Sequence, residues 1–148
     1  MNQETTEESN EESYILVWLT GIVFLVAMAA IFLYVPTEQT EGPVQRIMYI
    51  HIPSAWLSFF AFFIVFICSI LFLWKKEREW DIYAHASAEI GVIFCSLVLI
   101  TGPIWAKPIW GTWWVWDARL TSTLILWLIY VAYLMLRAQT DAGSMRAR

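Results

Sequence analysis

The chain has 148 residues, 59% of them hydrophobic, 17% aromatic and only 15% charged, with a mean hydropathy of +0.59. Soluble domains carry about 25% charged residues, so this composition excludes an ordinary soluble domain and points to a membrane protein. The formal charge of −4 comes from a short acidic run, Glu4, Glu7, Glu8, Glu11 and Glu12, and there is no basic patch of the kind nucleic acid requires.

Residues 1–13, MNQETTEESNEES, are polar and aperiodic, and are expected to form a disordered acidic tail. They lack the basic n-region of a secretory signal. Tyr14 to Val35 is uncharged and ends at Pro36. At 1.5 Å per residue it makes a helix of about 33 Å, enough for a hydrocarbon core of roughly 30 Å. Tyr14, Trp18 and Tyr34 sit near its ends as interfacial aromatics do. Residues 36–53 connect, with a turn at Gly42-Pro43 and an apolar part, Val44 to Ile52, expected to lie along the membrane surface.

A second span covers about 54–74, with Ser54 as N-cap after Pro53, and Lys75, Lys76 and Arg78 follow it. The third covers about 83–101 and is expected to stop at Gly102-Pro103. Residues 102–119 connect to a fourth span at about 120–136, and 141–148 form a tail. The expected fold is all-α, a polytopic membrane protein of four transmembrane helices with an interfacial Trp-rich segment.

Basic residues orient it. Lys75, Lys76, Arg78, Arg137, Arg146 and Arg148 lie on one side, and only Arg46, Lys107 and Arg119 on the other. The positive-inside rule puts both termini in the cytoplasm. Residues 36–53 and 102–119 then share the outer face.

On that face Trp105, Trp110, Trp113, Trp114 and Trp116 fall within twelve residues. An interfacial belt accounts for Trp56, Trp74, Trp80 and Trp127, but not for five tryptophans so close together. If residues 109–118 are helical, Trp110, Trp113 and Trp114 share one face and present an aromatic floor to a flat ligand such as heme. His51, between Ile50 and Ile52 and before Pro53, is a candidate iron ligand. Arg46 and Arg119 are candidate partners for propionates. Asp117 is placed to orient an indole N–H, to pair with Arg119 or to cap the fourth span. His85 and Glu89, spaced i, i+4 on the opposite side, are expected to hydrogen-bond each other. Cys68 and Cys95 lie inside apolar runs and read as buried free thiols; with no CxxCH, a covalently attached c-type heme is excluded.

WGTWWVWDARLT, Trp110 to Thr121, resembles the tryptophan-rich signature of heme-handling membrane proteins of c-type cytochrome maturation. QRIMYIHIPSAW, Gln45 to Trp56, resembles the first outer histidine segment of the heme exporter protein C (CcmC) family. The resemblance implies a protein of the bacterial inner membrane that binds heme b non-covalently on its periplasmic face and delivers it to the heme chaperone CcmE. It implies work with the ATP-binding-cassette subunits CcmA and CcmB and the small subunit CcmD. His51 matches the family's first outer histidine, a proposed axial ligand. Trp110, Trp113, Trp114, Trp116 and Asp117 match its tryptophan motif, and Arg46 and Arg119 its motif arginines.

Family members have six spans and a second outer histidine between the fifth and sixth. The resemblance covers about the first two-thirds of such a protein, and a fragment is expected. The implied role is capture and transfer rather than enzymatic turnover, a heme-lyase-like role being compatible with it. The alternative is a non-heme scaffold whose tryptophans bind a partner protein or lipid. A third reading, a transporter subunit, lacks a polar path in spans one, two and four.

Overall fold

The computed structural model describes the backbone of residues 2–146 and the side chains of residues 13–139. The chain divides into two compact units, Met1–Arg46 and Ile47–Arg148.

The first unit is built on α1 (Asn2–Ala29), followed by a π-helical turn, Ala30–Tyr34. Helical backbone thus runs through the acidic segment for which disorder was expected. Glutamate is a good helix former, and extending an existing helix avoids the cost of nucleating a new one. The turn ends at Val35, whose ψ of 125° is extended, as steric conflict with the ring of Pro36 requires. A tight turn follows in which the Gly42 N–H donates to Glu38 O at 3.1 Å. Gly42 has φ +66°, in the left-handed region where a side chain is costly. The Glu38 carboxylate accepts the Thr40 N–H at 2.7 Å and also the Glu41 N–H. A 3-10 turn, Pro43–Ile47, leads out of the segment.

The second unit consists of α2 (Met48–Lys75), α3 (Arg78–Trp110) and α4 (Ala118–Arg146). α2 and α3 form a hairpin closed at Lys76, which has φ 57° and donates its N–H to Phe72 O at 2.8 Å. They run antiparallel, His51 lying opposite Thr101 and Ser58 opposite Gly91.

The seam between α2 and α3 is made of small residues at spacings of three and four. α2 buries Ser54, Ser58, Ala61, Val65 and Cys68 there, and α3 buries Ala84, Ala88, Gly91 and Cys95. Lipid tails offer no hydrophobic drive for helix association, so close backbone approach over small side chains supplies it through dispersion and polar contacts. Phe62 is the large member of the seam. Its ring lies where a Gly91 Cβ would be, 2.5 Å from the Phe62 Cε1 position, and stacks on Tyr130 of α4 at 4.0 Å and 13°.

α4 is also tied to α3 by polar clasps. The Trp127 indole N–H donates to Ser96 Oγ at 2.8 Å, and Ser96 donates to Val92 O at 2.7 Å. At the far end Arg137 makes a bidentate pair with Asp81, Nη1 to Oδ1 being 2.7 Å, and Nη1 also donates to Tyr133 at 3.1 Å.

Several expectations are corrected. α2 begins at Met48, so Ser54 is no N-cap; it is interior and donates to Ile50 O at 2.7 Å. α3 passes through Gly102-Pro103 and Pro108 to Trp110. The clash that bars helix before a proline involves the preceding Cβ, which Gly102 lacks, and membrane helices tolerate the lost hydrogen bond. Trp127 donates to Ser96, and Trp80 packs on the core of Val65, Cys68, Ala84 and Ala88, contacts that the sequence did not indicate. His85 Nε2 stands 3.6 Å from Glu89 Oε1, an ion-pair distance rather than a hydrogen bond. α4 carries helical backbone into the expected tail, of which Ala147 and Arg148 lie outside the described residues. Cys68 and Cys95 are buried free thiols.

Four helical segments, Ser13–Tyr34, Pro43–Lys75, Arg78–Trp110 and Ala118–Gln139, are long and apolar enough to cross a membrane. Their outward faces are paved with exposed Leu, Ile, Val and Phe, as lipid contact demands. Among the described residues there is no strand beyond the isolated bridge between Glu38 and Gly42. The fold is that of an all-α multi-pass membrane protein.

Candidate functional site

His51 stands in the first turn of α2, against the stretch of α3 where Thr101 and Gly102 precede Pro103. Its Nδ1 is 2.8 Å from Thr101 Oγ1. A Cβ on Gly102 would stand 3.4 Å from His51 Cε1, an ordinary van der Waals separation, so the imidazole lies directly against this turn of α3.

From Thr101 the helix carries on for two and a half turns, through Trp105, to Trp110, so the first two tryptophans are held on rigid backbone. It stops at Gly111, whose φ of +76° suits a residue without Cβ, with the Gly111 N–H donating to Lys107 O at 3.0 Å. Lys107 Nζ returns to Gly111 O at 2.9 Å. Beyond it the Thr112 hydroxyl donates to Trp114 O at 3.1 Å. Residues 111–117 are therefore a turn, not a helix. The expected shared face of Trp110, Trp113 and Trp114 does not form.

The tryptophans are instead arranged as two edge-to-face pairs. Trp105 and Trp110 have centroids 5.2 Å apart at 85°, and Trp114 and Trp116 are 5.7 Å apart at 73°. Such pairs add about 0.5–1.5 kcal/mol beyond area burial. Trp110, Trp113 and Trp116 expose 42%, 58% and 75% of their surface, leaving large aromatic faces at the end of the bundle that holds His51. Trp114 is partly buried, and its indole N–H has no hydrogen-bond partner among the described residues. An orphaned buried donor costs about 1–3 kcal/mol, so this one calls for an acceptor.

Asp117 closes the turn. Its Oδ1 accepts the Leu120 N–H at 2.7 Å, the geometry of an N-cap on α4. Its Oδ2 is 3.5 Å from Arg119 Nη2. Of the three roles open to it from the sequence, it takes capping and pairing. The Arg119 guanidinium also lies 5.6 Å over the Trp110 ring, so charge and aromatic surface are coupled. Arg119 is well exposed and Asp117 only partly buried, and a pair in that setting contributes little.

Arg46 belongs to the first unit. Its Nη1 donates to Phe32 O at 3.0 Å and Nη2 to Val35 O at 2.9 Å and Thr37 Oγ1 at 3.4 Å. These acceptors are neutral, so the guanidinium holds the connecting segment in shape while its charge stays uncompensated by them. Thr101, Gly102, Lys107 and Gly111 were missed as parts of this end of the molecule. The signal lay in the helix-stop pattern Trp110-Gly111-Thr112, which competes with the Gly102-Pro103 punctuation.

This arrangement offers an imidazole, broad aromatic faces, an indole N–H without a partner among the described residues and a lightly held guanidinium. It suits a flat, anionic, metal-bearing ligand, and the residues present fit heme.

The family profile described as heme exporter protein C matches residues 2–148. Heme exporter protein C of Bradyrhizobium diazoefficiens is 41% identical over 138 residues, 90% of this chain and 52% of its own length. The Escherichia coli K12 protein of that name is 36% identical over 117 residues, 79% of this chain and 48% of its own. A Marchantia polymorpha protein described as a putative cytochrome c biosynthesis ccmC-like mitochondrial protein is 41% identical over 119 residues, 78% of this chain and 52% of its own. The chain thus spans about half the length of the curated relatives it matches. With the profile covering essentially every residue and these identities beside it, the chain belongs to the heme exporter protein C family.

Proposed function

We propose that this chain holds heme b non-covalently on the periplasmic face of a bacterial inner membrane and passes it on for c-type cytochrome biogenesis. What supports the reading is that His51 packs on α3 at Thr101 and Gly102, and that the same helix ends at Trp110, over whose ring Arg119 lies. His51 would ligate the iron. Trp110, Trp113, Trp114 and Trp116 would cover the porphyrin and exclude water, the Trp114 N–H finding its acceptor there. Arg119 would give up its weak pairing with Asp117 to neutralise a propionate. Asp117 acts by capping α4 and so setting where Arg119 begins. For Arg46, in the first unit, the support is its own: a guanidinium bound to neutral oxygens retains its attraction for a carboxylate. Bound heme supplies a redox-active iron and a vinyl-bearing ring; the chain's residues bind, orient and shield it.

The role is transfer, with a lyase-like contribution limited to presenting the ring. Family membership supports, as recipients and partners, a CcmE-type heme chaperone, the ATP-binding-cassette subunits CcmA and CcmB, and CcmD. Basic-residue counts put both termini in the cytoplasm. The test is titration of the detergent-solubilised chain with heme, followed in the Soret region. A saturable spectrum that shifts on His51→Ala, with Trp114→Ala weakening retention and leaving the band position in place, is expected. An identical spectrum for His51→Ala would sink the ligand assignment.

A further inference from the structure

His51 and Thr101 form a short relay whose protons can be placed. Thr101 Oγ1 is 2.6 Å from Leu97 O and 2.8 Å from His51 Nδ1. A carbonyl oxygen can only accept, and a threonine hydroxyl carries one proton. If that proton went to His51, Oγ1 and Leu97 O would face each other at 2.6 Å with lone pairs alone. Both contacts are hydrogen bonds in one arrangement only: Thr101 donates to Leu97 O, and His51 Nδ1–H donates to Thr101 Oγ1.

We infer that Thr101 is a positioning residue that fixes His51 in its Nδ1–H tautomer, making Nε2 the lone-pair nitrogen and therefore the ligand atom. In a neutral imidazole one nitrogen carries the proton and the other the lone pair. Free imidazole side chains in water prefer Nε2–H, the form that cannot ligate through Nε2. The relay reverses that preference before any ligand arrives. It is anchored to backbone: the Leu97 carbonyl is part of α3, so the tautomer is set by a helix and not by a mobile side chain. Metal-bound histidines commonly donate their second N–H to an oxygen acceptor, and loss of that acceptor costs about 10–100-fold in metal affinity. Here the acceptor comes from a different helix, so the ligand is oriented only when α2 and α3 are paired.

The tautomer itself is independent of ligand, whereas its use for iron rests on the heme reading above. The test therefore has two arms. In the first, the full chain with 15N-labelled histidine, in a His85→Gln background so that His51 alone reports, is measured by NMR in micelles at one mildly alkaline pH without heme. The expected pattern is a protonated Nδ1 and an unprotonated Nε2. Thr101→Val, nearly isosteric, should move the pattern toward Nε2–H, and Thr101→Ser should restore it. A wild-type His51 that reads as Nε2–H, or a pattern unmoved by Thr101→Val, overturns the assignment; the wild-type spectrum decides this even if the valine variant fails to fold. In the second arm heme retention is compared, and Thr101→Val should lose about 10-fold or more while Thr101→Ser retains it. If the tautomer is as assigned but His51→Ala leaves the heme spectrum unchanged, the relay stands and the heme-ligand reading is what fails.

Discussion

Gly91→Ala is the sharpest probe of the helix seam. An alanine Cβ there would stand 2.5 Å from Phe62 Cε1 and 2.7 Å from Cδ1. Carbon atoms are at ease at about 3.5–4.0 Å, so the ring must retreat by roughly 1 Å. Its movement is constrained, because the same ring is stacked on Tyr130 at 4.0 Å. The alternative, parting α2 from α3, would stretch the Ser58 hydroxyl's bond to Gly91 O, already 3.3 Å. Overpacking of this kind costs about 1–3 kcal/mol, against up to about 1 kcal/mol gained from the better helix propensity of alanine.

Gly21→Ala isolates the second quantity, since nothing lies within 4 Å of a Cβ built at Gly21 in α1. We expect Gly91→Ala to be less stable than Gly21→Ala by about 1–3 kcal/mol, measured by reversible unfolding in mixed micelles and followed by circular dichroism. Phe62→Leu in the Gly91→Ala background should recover part of the loss. If Gly91→Ala unfolds no more readily than Gly21→Ala, the seam is looser than described and the reasoning fails.

Asp117→Ala should cost about 1 kcal/mol through the lost cap, whereas Asp117→Asn, which caps as well, should keep helix stability yet free Arg119; if the two substitutions behave alike in thermal unfolding, capping is not what Asp117 contributes. Arg137→Gln and Asp81→Asn should each destabilise the α3–α4 contact, and the double substitution should cost less than their sum by about 0.5–3 kcal/mol; additive losses would mean that the pair is not coupled. Hydrogen bonds from the Glu41 and Thr40 N–H groups hold the Glu38 carboxyl below the ordinary carboxylate range. Its contribution to the Gly42 turn is therefore fully present above that ordinary value and is lost as pH falls through the depressed one. Limited proteolysis of residues 37–43 should accelerate only in acid, and Glu38→Gln should abolish the acid step; a pH-independent cleavage rate would contradict this.

Much of the molecule was legible without coordinates, for reasons that differ by feature. Membrane spans are written in composition, because each backbone group in lipid must be satisfied within a helix and each side chain facing lipid must be apolar. Four spans, the Gly42-Pro43 turn and the candidate set of His51, Trp110, Trp113, Trp114, Trp116, Asp117 and Arg119 could be read from runs and motifs. Helix ends were less legible. Gly102-Pro103 reads as a stop in any local rule, yet the chain continues helically to Gly111, where a left-handed residue ends it. That misplacement put Trp105 in a connecting segment and left 109–118 open to a helical reading, whereas helix ends at Trp110 and residues 111–117 are not helical.

Pairing was not legible at all. Nothing local distinguishes Thr101 from any other threonine, or Ser96 and Trp127 from an interfacial serine and tryptophan, until antiparallel helices bring residues 50 and 31 positions apart within 2.8 Å. Composition and periodicity determined that this chain spans a membrane and carries an aromatic, histidine-bearing end. Only tertiary structure decided which nitrogen of His51 holds its proton, because that choice belongs to a neighbour on another helix.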